Sequence, residues 1–280
     1  MSLATGYVWK HKNIRLLGYS VAGITTSIVF PEADACFDVG QGLPFQFPIN
    51  HLLITHGHMD HASGLPYVIA QKSMQSQLPP KVFMPEPLVP KMLEIMRIYS
   101  EIDEHTYSFH FLTAKPGEEI PLKAPYFAKT FPTFHRVASQ GYTIFERRKR
   151  LKADYKDLTP NELGDLRRQG EALEEHFIDN ILSFTGDTKI EFLDSPQVQE
   201  SRVLVMEVTY WDGKKSVENA REWGHIHLDE LLPRLEKMKH EKIVLIHASA
   251  RYTTPQLREI IDARVPEHIK HRIDLFPRPM

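Results

Sequence analysis

The feature that most constrains this chain is a run of potential metal ligands directly behind an apolar segment. Four histidine and aspartate side chains fall within six residues of the sequence Thr55-His56-Gly57-His58-Met59-Asp60-His61. The preceding Leu52-Leu53-Ile54 predicts a buried strand. Because alternate side chains of an extended chain point to the same side, His56 and His58 should converge. Imidazole and carboxylate groups suit zinc, and also iron or manganese. The pattern predicts a metal site at the end of a strand rather than a histidine-rich surface turn.

The rest of the chain predicts one large α/β domain. Predicted strands first follow one another, as at residues 14–17 and 25–30, and later alternate with helices. This order is typical of mixed β-sheets that are covered by helices on the outside. No repeat and no evident linker divides the 280 residues, so we expect a single domain over residues 1–280.

Cysteine content, apolar runs and net charge indicate the environment of the protein. The one cysteine, Cys36, excludes an internal disulfide and fits a reducing compartment. No apolar run approaches the ~20 residues that a membrane helix needs. Residues 1–12 also lack the apolar core of a signal peptide. We therefore expect a soluble, cytoplasmic protein. With a net charge of −2, it would bind a polyanion only through a local basic patch.

A polar insertion interrupts the strand pattern at residues 146–178. It contains Thr159-Pro160-Asn161-Glu162, which has the order of a capping box with proline at the first helical position. This predicts a helix over about residues 160–175, with Gly164 and Gly170 as the places where it could break, in a segment that projects from the body. Residues 146–175 contain eight basic and eight acidic side chains, so the insertion is neutral as a whole.

The motif His-x-His-x-Asp-His is the signature of the metallo-β-lactamase superfamily. The chain resembles this superfamily also in the order of its later motifs. The resemblance implies a four-layer αβ/βα sandwich with two mixed sheets and two divalent metal ions, most simply zinc. The implied ligands of one metal are His56, His58 and His135. Those of the other are Asp60, His61 and His247, and Asp187 bridges the two. In such sites a water shared by cations ~3.5–4 Å apart is deprotonated near neutral pH and attacks the substrate.

Three further motifs resemble tRNase Z, the endonuclease that trims precursor tRNA at its 3′ end. They are His135-Arg136-Val137-Ala138-Ser139-Gln140-Gly141-Tyr142, Ala220-Arg221-Glu222-Trp223-Gly224-His225 and His247-Ala248-Ser249-Ala250-Arg251-Tyr252. The similarity is greatest to the short, plant-type enzymes. It implies a metal-dependent tRNA 3′-processing endoribonuclease whose substrate is precursor tRNA and which acts as a homodimer.

The chemistry of phosphodiester hydrolysis suggests roles for the remaining motif residues. His225 is the expected general acid, with Glu222 orienting its ring; the alternative is a structural histidine in a loop. Asp60 is expected to accept a proton from the attacking water besides binding metal. Candidate phosphate contacts, for which a packing or turn role is an equal alternative, are Ser139, Ser249 and Arg251.

The insertion begins with the basic run Arg147, Arg148, Lys149 and Arg150. In the family that the chain resembles, an arm at this place grips the tRNA, often from the other subunit. Such a run would neutralise phosphates and make binding sensitive to salt. The alternative is a solvated strand end.

Other functions remain open at this stage, because one fold supports many activities. The first alternative is a phosphodiesterase of the same fold that acts on small esters or cyclic nucleotides. A lactamase or thioesterase is less expected, since neither needs the element around His225. A non-catalytic RNA- or protein-binding module is disfavoured, because degenerate members usually lose ligands.

Overall fold

The computed structural model describes residues 5–278. Residues 1–4, 279 and 280 lie outside this range. The expectation that residues 1–12 contain no signal peptide therefore falls partly outside the described residues. The strands are β1 (Tyr7–His11), β2 (Ile14–Val21), β3 (Thr25–Phe30), β4 (Ala35–Phe37), β5 (His51–Leu53), β6 (Lys81–Phe83), β7 (His110–Leu112), β8 (Ile120–Pro121), β9 (Tyr126–Pro132), β10 (Gln140–Leu151), β11 (Glu174–Phe184), β12 (Val203–Glu207), β13 (Lys242–Ile246) and β14 (Ile273–Leu275). The α-helices are α1 (Met59–Ala62), α2 (Leu65–Met74), α3 (Val89–Ile102), α4 (Pro160–Arg168), α5 (Pro196–Gln199), α6 (Val217–Trp223), α7 (Leu228–Leu231), α8 (Thr254–Arg264) and α9 (Glu267–Lys270).

The strands form two seven-stranded sheets whose spatial order follows the chain order. The first sheet contains β1 to β7 and the second contains β8 to β14. In each sheet the first four strands pair antiparallel and the last three are added in parallel. The predicted mixed sheets are thereby confirmed. Among the helices of residues 5–278, none has the length and apolar character to cross a membrane.

The sheets face each other across the main hydrophobic core, and helices cover their outer faces. At the centre, the rings of Phe37 and Phe184 stack with centroids 4.6 Å apart. A second core cluster packs side chains of α8, such as Leu257, on the outer face of the second sheet. A third packs side chains of α2 and α3, such as Val68 and Met96, on the first. The resulting four layers agree with the expected αβ/βα sandwich.

The insertion differs from its predicted structure. The capping box at Thr159 is present, because the Thr159 side chain and Glu162 each bond to the other residue's backbone. The helix stops short of its predicted end near residue 175, because α4 ends at Arg168 and the chain turns at Gly170, one of the two expected break points, where φ is 86°. The chain then returns as β11, which pairs with the basic half of β10. Cross-strand pairs of opposite charge, such as Arg150 with Glu175, favour this hairpin over a longer helix.

Candidate metal centre

The structure brings all seven residues of the implied ligand set together between the ends of strands from both sheets. One group contains His56, His58, His135 and Asp187, and a second contains Asp60, His61 and His247. Within each group the potential ligand atoms lie within 4.8 Å of one another. His56 and His58 follow β5, whereas Asp60 and His61 lie in α1. The other three follow β9, β11 and β13.

Asp187 lies between the two groups. Its Oδ2 is 3.6 Å from Nε2 of His56, and its Oδ1 is 3.4 Å from Nε2 of His61 and 3.3 Å from Nε2 of His247. Gly186, at φ 60°, allows this approach, because a Cβ there would lie 2.5 Å from Oγ1 of Thr55.

The donor atoms fit divalent metal ions better than they fit a hydrogen-bonded core. Nε2 of His56 and Oδ1 of Asp187 are buried without a hydrogen-bond partner, which is costly unless another species binds them. Nε2 of His135 also lies 3.1 Å from Nδ1 of His58. Two imidazole nitrogens at this distance can both direct their lone pairs at one bound cation. The fold and these clusters indicate divalent metal binding.

Asp38, which sequence reasoning missed, orients two of the histidines. This fully buried carboxylate accepts hydrogen bonds at Oδ2 from Nδ1 of His61 and from Oγ1 of Thr55, both at 2.8 Å. The Thr55 hydroxyl in turn lies 3.0 Å from Nδ1 of His56, which donates to it. Occupying Nδ1 in both rings leaves Nε2 free to bind metal.

Glu207 has the corresponding role on the second sheet, and it was also missed. Its Oε1 accepts from Nδ1 of His225 at 2.9 Å and from the backbone N–H of Thr188 at 3.0 Å. Its Oε2 accepts from the Thr209 hydroxyl at 2.7 Å, and that hydroxyl accepts from Nδ1 of His247 at 3.0 Å. The available sequence signal was an acid at the end of the otherwise apolar strand Val203-Leu204-Val205-Met206-Glu207.

The expected orienting role of Glu222 is therefore corrected. Glu222 is exposed on α6, and the carboxylate that contacts the His225 ring is that of Glu207. Glu222 lies in the helix that leads to His225 and precedes it by three residues, which is why the sequence indicated a contact between them. However, α6 ends at Trp223 with a left-handed Gly224, which turns the chain before His225.

The pKa values of His56 and His225 are shifted in opposite directions. Burial lowers the pKa of His56 well below its usual value, so its ring is neutral, as a metal ligand must be. Burial would lower the pKa of His225 too, but the charge of Glu207 and its hydrogen bond raise it to about 9. The ring of His225 therefore retains a proton at neutral pH, whereas that of His56 does not.

The three candidate phosphate contacts have local partners. Ser139 accepts a hydrogen bond from Thr133 at 2.7 Å, which closes the loop that carries His135. Ser249 accepts from Nε of Arg251 at 3.1 Å, and the exposed Arg251 guanidinium also lies 5.7 Å from the centroid of Tyr210. These contacts support the turn role that was the alternative for each.

The basic run of the insertion lies along β10 and is largely paired with acids. Its ion pairs join Arg147 to Glu119, Arg148 to Asp179 at 3.2 Å and Arg150 to Glu175 at 2.6 Å. Lys149 is exposed and makes no ion pair within residues 5–278. The positive charge available to a polyanion is therefore smaller than the sequence suggests.

Two facing mixed sheets with histidine and aspartate clusters at their edge define the metallo-β-lactamase fold. Solved structures agree: the metallo-β-lactamase fold protein YhfI from Bacillus subtilis has a TM-score of 0.60 at 12% identity, covering 94% of this chain and 95% of that one. Human tRNase Z, short form, has a TM-score of 0.57 at 19% identity, covering 99% and 96%. Residues 34–261 match the family model described as Anti-Pycsar protein Apyc1. Over 265 residues the chain is 32% identical to tRNase Z TRZ1 of Arabidopsis thaliana, covering 92% of this chain and 95% of that protein. The chain belongs to the tRNase Z family, and most of its length also matches the Apyc1 family model.

Proposed function

We propose that this protein is a metal-dependent endoribonuclease that cleaves precursor tRNA at its 3′ end. The observation that carries the proposal is the pair of His225 and Glu207 beside the ligand groups. Hydrolysis of an RNA phosphodiester releases a sugar oxygen that needs a proton, and a histidine held by a carboxylate is suited to supply it. The relationship to plant tRNase Z supplies the substrate class.

In the proposed site, His56, His58 and His135 hold one metal ion, and Asp60, His61 and His247 hold a second. Asp187 contacts both groups, and zinc best suits this mixture of imidazole and carboxylate. Bound there, the ions supply charge neutralisation at the phosphoryl oxygens and an activated water. The protein's own residues do the rest.

Asp60 has a fixed orientation beside the ligand histidines. Its Oδ2 accepts a hydrogen bond from the backbone N–H of Gly23 at 2.7 Å and lies 3.4 Å from Nε2 of His247. We propose that Asp60 accepts a proton from the attacking water, and that His225 gives its proton to the leaving oxygen. Nδ1 of His225 is occupied by Glu207, so Nε2 is the donor, since it has no hydrogen-bond partner within residues 5–278.

The decisive experiment is incubation of the metal-loaded protein with a 3′-extended precursor tRNA. Cleavage directly 3′ of the discriminator nucleotide supports the proposal. Absence of cleavage in a sample with full metal content refutes it. The His225→Ala variant, with unchanged metal content, serves as the matched control.

A second function has one observation in its favour. Three of the four basic residues at the start of the insertion are already paired with acids, which weakens the case for a large RNA partner. A phosphodiesterase for small esters or cyclic nucleotides would not need this patch. Such an enzyme would hydrolyse cyclic nucleotides and leave precursor tRNA intact, so one pair of assays separates the two.

We also propose that the protein forms a homodimer through the outer face of α3. Ile95, Ile98, Tyr99 and Ile102 recur at helical spacing and expose 38%, 42%, 45% and 66% of their surfaces. A contiguous apolar stripe of this kind marks an interface. Analytical ultracentrifugation should show a dimer that Ile98→Glu converts to monomer. A cytoplasmic location stays a prediction from the single, buried Cys36, which cell fractionation would test.

A further inference from the structure

Two exposed side chains, Arg136 and Trp223, stack on each other beside the candidate metal centre. The guanidinium carbon of Arg136 lies 4.5 Å from the centroid of the Trp223 ring. Trp223 exposes 48% of its surface, whereas Trp9 and Trp211 expose 7% and 0%. An exposed tryptophan retains a large apolar surface that a ligand can cover.

The pair is held at a fixed place relative to two of the site histidines. Arg136 follows His135 directly, and Trp223 precedes His225 by two residues. Nδ1 of His135 donates to the carbonyl of Gly224 at 2.9 Å, which joins the two loops. Gly224 has φ 77°, and a Cβ on it would lie 2.7 Å from Nδ1 of His135, so only glycine permits this contact.

The charge of Arg136 is also available. Within residues 5–278 this guanidinium makes no ion pair, in contrast to the arginines of β10. Phe134 and Val137, its neighbours in the loop, expose 45% and 41% of their surfaces. The rim of the site therefore combines an unpaired cation, an open indole ring and apolar side chains.

We propose that Arg136 and Trp223 form a stacking subsite for an unpaired nucleobase next to the scissile phosphodiester. The inference rests on the proposed function, because it assumes that a nucleotide phosphodiester is held at the metal centre. Unpaired bases stack on aromatic rings and on guanidinium planes, whereas the faces of a base inside a duplex are covered by its neighbours. Arg136 adds donors for a base edge or a flanking phosphate. The subsite thus selects single-stranded RNA at the point of cleavage.

Fluorescence tests base binding without catalysis, because Trp223 is the exposed tryptophan. The metal-loaded protein is titrated with adenosine 5′-monophosphate, which contains no phosphodiester to hydrolyse, and, as a matched ligand without a base, with ribose 5-phosphate. The nucleotide should change the emission saturably and protect it from acrylamide quenching, while ribose 5-phosphate should do neither. Trp223→Phe should abolish the signal. Equal effects of both ligands, or no effect of the nucleotide, would overturn the inference.

A second experiment uses precursor tRNA with an abasic nucleotide placed on the 5′ or the 3′ side of the scissile bond. At one of these positions, loss of the base should raise the Michaelis constant about 10-fold, as expected for one lost stacking contact. Trp223→Leu and Arg136→Gln should each raise the Michaelis constant for intact substrate by a similar factor. With the abasic substrate, each substitution should change the Michaelis constant little. Trp223→Phe keeps a ring and should restore most of the affinity.

The outcomes separate this inference from the proposed function. If the wild-type protein cleaves precursor tRNA and neither the variants nor the abasic substrates change the Michaelis constant, the subsite is refuted and the function stands. Equal losses for Trp223→Leu on intact and abasic substrates would reveal a purely structural role and also refute it. If precursor tRNA is not cleaved at all, the proposed function fails, and the fluorescence titration still decides the subsite.

Discussion

Replacing Glu207 by Gln tests whether this buried carboxylate controls His225. Glutamine has nearly the same shape but carries no charge and has an amide nitrogen in place of one oxygen. Its oxygen can still accept from His225 and from the backbone of Thr188. The NH₂ group then faces the Thr209 hydroxyl, which at present donates to the carboxylate at 2.7 Å. The substitution therefore removes the charge beside His225 and disturbs the hydroxyl that holds His247.

The expected magnitude follows from the hydrogen bonds involved. A hydrogen bond to a charged group contributes about 1.5–3 kcal/mol, and each 1.4 kcal/mol corresponds to a factor of ten. Weakening the support of the protonated His225 should therefore slow precursor tRNA cleavage by roughly 10- to 100-fold. Removing the proton donor itself, in His225→Ala, should cost ~10²–10⁴-fold. Because the charge of Glu207 acts through His225, most of the effect of Glu207→Gln should be absent when His225→Ala is already present.

The assay is single-turnover cleavage of precursor tRNA with metal content measured on the same samples. A 4-nitrophenyl phosphodiester is the control, since its leaving group needs no proton. Both variants should hydrolyse it within a few-fold of the wild-type rate. An unchanged rate with tRNA, or an equal slowing of both substrates at full metal content, would refute the reasoning.

Three further predictions concern metal affinity, RNA binding and stability. Thr55→Val removes the hydroxyl between a buried carboxylate and a ligand histidine, and should weaken metal binding about 10- to 100-fold in a chelator competition; an unchanged affinity would contradict this role. Lys149→Ala should reduce the salt dependence of tRNA binding more than Arg150→Ala, because the arginine already has an acidic partner; equal slopes would contradict it. Burial opposes ionisation of Glu241, but hydrogen bonds from Lys12 and His11 lower the pKa of its carboxyl group to about 2. Its carboxylate therefore stabilises the fold above its unfolded pKa of about 4.3 and ceases to do so as the pH falls through about 2. Urea unfolding should show Glu241→Gln destabilised near neutral pH, with the difference vanishing towards pH ~2; a constant difference would contradict it.

The ligand residues could be predicted from the sequence because each carries chemistry that its position makes unusual. His56 and His58 follow the apolar segment Leu52-Leu53-Ile54, and the resemblance to a known family pointed to Asp187 and His247 far along the chain. The structure brings these residues together. The carboxylates Asp38 and Glu207 escaped prediction because a single acid at a strand end is an ordinary way to terminate a strand. Their importance appears only when the fold places them against histidines from other strands.

The fold was predicted best where patterns are local and strong. Strand β3 has the predicted bounds, since Thr25–Phe30 is short and rich in β-branched residues. The end of helix α4 was mispredicted because the acidic residues from Glu174 onwards can continue a helix or pair with the basic half of β10. Local propensity does not decide between these outcomes, whereas the hydrogen bonds of a long hairpin do. Short edge strands, such as β1 and β14, carried too few residues for a pattern.

Each ligand group contains residues from both sheets, so metal binding also affects how the two sheets are held together. The polypeptide connects the sheets once, through the segment between β7 and β8. A cation held by His56 and His135, or by His61 and His247, would add a second link between the two halves of the chain. The free energy of metal binding is thereby also free energy of cohesion between the halves. A shift of one sheet against the other would change the distances between the ligands of each group. Catalytic activity therefore depends on how the two halves of the molecule pack together.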